Sequence, residues 1–230
     1  MESIYDNVRR VQERIAAACQ RSGRRPEDVK LVAISKTFPA ERVREAYHAG
    51  LREFGENRVQ EAAAKRAALA DLGITWHLVG HLQTNKAKTA RELFQWVHSV
   101  DTIRLAQKLH QAASAGSARL RVLIEVNLAG EESKSGTRPQ DVLPLAEEIS
   151  RLGLLELRGL MAIPPIVENP EDARPYFRRL REMAEQLAGQ KIAGITMADL
   201  SMGMTHDFEV AIEEGATIVR VGTGIFGGRD

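Results

Sequence analysis

The sequence predicts an α/β fold, a (β/α)8 TIM-like barrel carrying an extra N-terminal helix that covers the last strand. Three observations lead there. Short apolar runs rich in β-branched residues alternate with longer stretches of helical periodicity, as parallel βα units do when helices cover their sheet. Eight such runs occur: KLVAIS, LREFG, TWHLVG, QWVHSV, LRVLIEVNL, LELRGLMAI, a weak ADLSM, and TIVRVG. Their spacing lets 230 residues hold eight units, near the length of about 250 typical of such barrels. The competing doubly wound sheet usually has a glycine-rich phosphate turn after its first strand, and SKTFPAE contains no glycine.

The elements follow in order. Ile4, Val8, Val11, Ile15 and Ala18 recur at alternating spacings of four and three, one face of an amphipathic helix ending near Gly23. This helix precedes any strand. Further helical patterns span 57–71, 84–94, 102–115, 139–151, 170–188 and 206–214, and Gly50, Gly73, Gly116, Gly153 and Gly215 stand where helices should stop. After the eighth strand only TGIFGGRD remains, too short for an eighth covering helix. The first helix is the natural cover for that face. The whole chain, 1–230, reads as one domain with no linker or low-complexity tract.

Thirty-two basic residues balance thirty-one acidic ones, with no basic block suited to nucleic acid. A single cysteine, Cys19, excludes an intrachain disulfide and a cysteine-based metal cluster and suits a reducing, cytoplasmic compartment. No stretch approaches the roughly 18 uninterrupted apolar residues of a membrane span. Nor does an apolar surface stripe suggest a subunit interface, so a monomer is expected.

In such a barrel the active site lies at the C-terminal strand ends, with phosphate commonly bound after strands seven and eight. Strand one ends in LVAISKTFPA. Alternation puts Val32, Ile34 and Lys36 on one face; if that face is the lumen, Lys36 stands in the barrel mouth. A lysine partly stripped of water has a lowered pKa and can attack a carbonyl as a free amine. Alone, the motif fits a solvated strand-closing lysine better. Strands seven and eight end in LSMGMTHDF and VRVGTGIFG. Ser201, Gly203 and Thr205 lead into a helix opening near His206 and Asp207, and Gly222, Thr223 and Gly224 form a second small-residue turn. Arg220 interrupts an apolar strand, so a buried acceptor is needed, either Glu125 on strand five or a ligand atom.

Elsewhere, FGENRVQE offers Glu56, Asn57 and Arg58, and WHLVGHLQTNK offers His77, His81 and Gln83. The two histidines flank a strand end without a third ligand, which argues against a metal. Lys134, in NLAGEESKSG, is an accessible loop amine, and Met161 in MAIPP reads as lining.

A lysine on strand one, a phosphate cradle after strands seven and eight and an arginine on strand eight suit an aldehyde bearing a phosphate, such as pyridoxal 5'-phosphate (PLP). SKTFP, FGENRVQE, WHLVGHLQTNK and LSMGMTHDFEVAIEEGATIVRVGTGIFG resemble the pyridoxal phosphate homeostasis proteins, single-domain PLP-binding barrels related to the N-terminal domain of alanine racemase. The resemblance implies a Schiff base on Lys36, phosphate contacts from Ser201, Gly222 and Thr223, and Arg220 facing the pyridine nitrogen. It places Asn57 near the ring, with Met202, Gly203 and His81 close by. The family often has a second lysine two positions after the Schiff-base lysine; here Phe38 stands there, which puts a secondary PLP site, for instance at Lys134, in doubt.

An arginine opposite the ring nitrogen disfavours the pyridinium and weakens the cofactor as an electron sink. Related racemases supply a second catalytic group, a tyrosine, from another domain, whereas Tyr5, Tyr47 and Tyr176 here fall in helical segments. The expectation is therefore a cytoplasmic, non-catalytic PLP carrier that buffers the cofactor or delivers it to PLP-dependent apoenzymes, and so acts indirectly on amino-acid and keto-acid balance. Two alternatives remain at this level. One is a PLP-dependent amino-acid racemase using Lys36 and perhaps His81 as bases; the other is a cofactor-free Schiff-base aldolase acting on a sugar phosphate.

Overall fold

A computed structural model describes residues 3–113, 118–131 and 135–228. Gly116 and Lys134 lie outside them. The first helix, α1 (Ile4–Arg21), starts where the Ser3 hydroxyl accepts the Asp6 N–H, an N-cap that satisfies one of the first turn's orphan donors. The chain then alternates through β1 (Lys30–Ile34), α2 (Ala40–His48), β2 (Glu53–Glu56), α3 (Val59–Ala68), β3 (Thr75–Leu78), α4 (Ala87–Leu93), β4 (Trp96–Val100) and α5 (Ile103–Gln111). It continues through β5 (Leu120–Glu125), α6 (Val142–Arg151), β6 (Leu155–Met161), α7 (Arg174–Gly189), β7 (Asp199–Met204), α8 (Phe208–Glu213), β8 (Ile218–Val221) and the single turn α9 (Thr223–Phe226).

All eight expected strands form, and each pairs in parallel with its neighbours until β8 closes on β1. The closing register sets Lys30 opposite Ile218 and Val32 opposite Arg220. Three of the helical stretches open as short 3-10 turns, at Thr84–Lys86, Pro139–Asp141 and Pro170–Ala173, before the α-helix proper. At the latter two a proline occupies the first turn, where its missing N–H costs nothing.

Side-chain alternation divides the barrel into two apolar compartments. Val32, Ile34, Val79, Trp96, Leu123, Met161 and Ile218 pack together inside the lumen. Ala33, Phe54, Leu78, Val97, Val122 and Val219 face outward into the larger layer between strands and helices. The face shared by Val32 and Ile34 is thus the lumen, as the placement of Lys36 requires.

The last strand is covered as the short C-terminal tail implies. Ile4, Val8, Val11, Ile15, Ala18 and Cys19 on α1 are buried, and the helix packs on α2, α8 and α9. Asn7 donates to the Ile225 carbonyl at 3.0 Å, Arg14 pairs with Glu209 at 2.7 Å, and Arg24 donates to the Ile212 and Ala216 carbonyls. No helix among the described residues is long and apolar enough to cross a membrane.

Candidate functional site

The C-terminal strand ends surround a cavity of about 550 Å³. Of the residues expected to contact PLP, Lys36, Asn57, His81, Arg220, Gly222 and Thr223 line it. Lys36 follows β1 at its rim. Beneath it the strand end is fastened from outside the barrel: buried Lys65 on α3 donates to the Ser35 carbonyl and to Glu56, both at 2.6 Å, and the Ser35 hydroxyl donates to the same Glu56 oxygen at 2.6 Å.

Ser201, Met202 and Gly203 are not among the lining residues. Met202 points into the outer apolar layer. Gly203 has φ +89, a left-handed conformation, and a Cβ there would meet Ala211 at 2.6 Å and the Phe208 backbone at 2.9 Å. This glycine lets the chain turn tightly under α8. Ser201 lies deeper on β7, fully buried, and its hydroxyl engages His98 and Arg220. The cavity wall is instead formed by Met204, Thr205 and His206. The pairing of β7 with β8 shifts register between Ser201 and Met204, and the residues past the strand end stand at the mouth.

Thr205 joins the two small-residue turns: its hydroxyl accepts the N–H groups of Gly222 and Gly224 at 3.3 and 3.4 Å. A Cβ at Gly224 would stand 2.9 Å from Val221 and 3.2 Å from Thr205, so only glycine fits where the turn closes. Asp207 accepts the Met204 N–H at 2.6 Å and closes the same loop, while His206 donates to the Glu168 carbonyl at 3.0 Å.

Arg220 is buried at the cavity floor, donating to Ser201 Oγ at 2.6 Å and to the Ala162 carbonyl at 3.0 Å. Burial pulls its pKa down to about 10, against the fields of Asp207 and Glu125. The guanidinium stays a cation at neutral pH. The expected Glu125 partner is not its acceptor. Glu125 Oε2 is buried with no hydrogen bond, and burial, aided by Asp101, pushes that carboxyl from 4.5 to about 7. Half-exposed His81 lies 3.4 Å from Asp101 across the mouth. Among the described residues no group of three or more His, Cys, Asp or Glu could hold a metal ion.

Sequence reasoning named Thr205 in the turn after strand seven and His77 beside strand three, without giving Thr205 the cavity wall or His77 its inward partner; it missed Lys65 as a buried cation and His98. Lys65 sits in AAAKRAA and reads as a solvated helix residue. The histidines did carry a signal, since each interrupts an apolar strand at a lumen-facing position.

Known proteins resemble the chain over nearly its whole length. A sequence model described as "Alanine racemase, N-terminal domain" matches residues 2–230. A pyridoxal phosphate homeostasis protein of Aquifex aeolicus is 49% identical over 224 residues, 97% of each chain. One of Pseudomonas aeruginosa is 49% identical over 230 residues, covering 100% of this chain and 97% of the relative. The structure of PipY from Synechococcus elongatus with PLP bound superposes with a TM-score of 0.83 at 42% identity, covering 94% of this chain and 100% of that one. By these matches the chain belongs to the alanine racemase N-terminal domain family and, within it, to the pyridoxal phosphate homeostasis proteins.

Proposed function

We propose that this protein binds PLP at the mouth of its barrel, held as a Schiff base on Lys36, and acts in PLP homeostasis as a cytoplasmic, monomeric, non-catalytic carrier that buffers the cofactor or delivers it to PLP-dependent apoenzymes. The observation that carries the reading is one cavity in which the Lys36 amine, the buried Arg220 cation and the Thr205-stitched turns at Gly222 to Gly224 all meet. Kinship to relatives of the same name and to PLP-bound PipY supports it.

The residues fit the group. When bound, PLP supplies an aldehyde for an amine and a ring that can draw electrons from it. Thr205 and Thr223 carry hydroxyls where the phosphate would lie, in the loop where barrels commonly bind it, and Thr205 Oγ1 shapes the turn there by holding the Gly222 and Gly224 N–H groups. Thr205 here takes the place at the cavity wall that the sequence assigned to Ser201. Asn57 and His81, on the cavity wall, would flank the ring. Arg220, a donor that cannot accept a proton, would face the ring nitrogen and keep it unprotonated.

That last point favours holding over turnover, because a neutral ring is a poor electron sink. The tyrosines of the chain are on α1, α2 and α7, none of them lining the cavity. Two measurements test the reading together. Added PLP should give a visible absorbance band in the wild type that is absent from Lys36→Ala, and amino acids incubated with the loaded protein in D2O should keep their α-hydrogen. Exchange that disappears in Lys36→Ala would establish a racemase-like enzyme instead.

A further inference from the structure

Five side chains from five strands form an unbroken hydrogen-bonded row through the lumen. Glu53, at the start of β2, meets His77 Nε2 at 2.7 Å; His77 Nδ1 meets His98 Nε2 at 2.8 Å; His98 Nδ1 meets Ser201 Oγ at 2.9 Å; and Arg220 donates to Ser201 Oγ at 2.6 Å. The row starts at the floor of the barrel, where the Glu53 side chain is partly exposed and pairs with Lys30 at 3.4 Å. It ends on the cavity. His77, His98 and Ser201 are fully buried.

Chemistry fixes the direction of every bond. A guanidinium only donates and a carboxylate only accepts. Burial pushes the pKa of His77 down and that of His98 well below its usual value, so both rings are neutral with one proton each. Burial opposes the ionisation of Glu53, but the His77 hydrogen bond and Lys30 hold its pKa below the ordinary value. His77 therefore carries its proton on Nε2, toward Glu53, and presents a lone pair at Nδ1. His98 must fill that lone pair from Nε2, which leaves its Nδ1 to accept, and the Ser201 hydroxyl supplies that proton. Every donor then meets an acceptor from Arg220 down to Glu53. With Glu53 ionised, the opposite tautomers would set two lone pairs against each other at the floor.

We infer that Glu53, His77, His98 and Ser201 are positioning residues, a one-way relay that carries the Glu53 charge through the lumen to fix the Arg220 guanidinium beneath the bound ring. Successive hydrogen bonds polarise one another, so a Ser201 hydroxyl that gives its proton down the row is a stronger acceptor for Arg220. Around the histidines the groups are apolar or cationic: Trp96 stacks on His77, and Lys30 and Arg121 lie against the Trp96 ring, while at the far end of the row Asp207 and Glu125 act on Arg220 itself. Glu53 is the carboxylate hydrogen-bonded to the histidines, and so the one that terminates the row. The last link rests on the PLP reading; the row and its direction do not.

The test has two parts. In the PLP-free protein, ¹⁵N NMR of the histidines should show His77 and His98 neutral with the proton on Nε2 in each; a proton on Nδ1 of either, or a doubly protonated ring, would overturn the relay. In the loaded protein, Glu53→Gln, which keeps an acceptor for His77 but removes the charge, should shift the visible band, and Ser201→Ala should shift it further in the same direction. The combination of Glu53→Gln with Ser201→Ala should match Ser201→Ala alone. A band unmoved by Glu53→Gln, or moved equally in both backgrounds, would mean that no relay passes through Ser201. A wild type that gives no band at all would instead refute the PLP reading and the last link with it, leaving the NMR result to judge the row. Should Glu53→Gln not fold, the wild-type tautomers still decide.

Discussion

At the scale of single residues, the support beneath Lys36 is as informative as the lysine. Glu56 and Lys65 are both buried and share Ser35 between them, so the strand end that presents Lys36 is held by a charge pair on the outer side of the barrel. Removing one member leaves the other charge buried and uncompensated, a loss of about 3–5 kcal/mol. Lys65→Met should therefore destabilise the protein by that order in urea unfolding and slow PLP uptake even where the fold survives. Glu125 yields a pH dependence. Folded, it holds its proton up to about pH 7, whereas an unfolded glutamate releases it near 4.5. Between those values the folded state binds more protons than the unfolded one, so stability falls as pH rises through that window, by up to about 3 kcal/mol for this group. Glu125→Gln should abolish that decline in the PLP-free protein, measured by urea midpoints at pH 5 and pH 8.

At the scale of elements, α1 packs beside the turn that follows β8, against α2, α8 and α9. Its buried stripe from Ile4 to Cys19 was legible in the sequence because helical periodicity is local, and its role followed from the shortness of TGIFGGRD. Ile15→Ala should cost about 2–5 kcal/mol, as buried isoleucine truncations do, while leaving the PLP band in place because α1 packs on α2, α8 and α9 rather than on the cavity. A band lost together with the stability would show that this helix shapes the site. The strands were equally legible, and alternation along β1 put Lys36 on the face of Val32 and Ile34, but which face is the lumen shows only once the barrel closes. Ser201 shows where that reasoning stops. Its motif marks the correct loop, but position 201 lies deep on β7 and position 205 lies past the strand end at the mouth, a depth that the motif does not state. The His77–His98 row was illegible for a related reason: its members are contributed by strands from β2 to β8 and meet only when the barrel closes.

At the scale of the whole molecule, closure does the functional work. Strand β8 pairs with β1, which sets Val32 opposite Arg220 and brings an amine from near the N-terminus over a guanidinium and a phosphate-suited turn from near the C-terminus. The same closure seals a lumen in which buried polar groups hydrogen-bond to one another instead of to water. On the proposed PLP reading, such a site would hold the ring and keep its nitrogen unprotonated, which suits retention and delivery better than turnover. The central claim is that Lys36 is the residue that carries PLP. Borohydride reduction of the PLP-loaded protein followed by peptide mapping tests it most directly: a pyridoxyl group on the peptide containing Lys36, and its absence from Lys36→Ala, is the result expected. A reduced adduct on another lysine, with Lys36 unmodified, would contradict it.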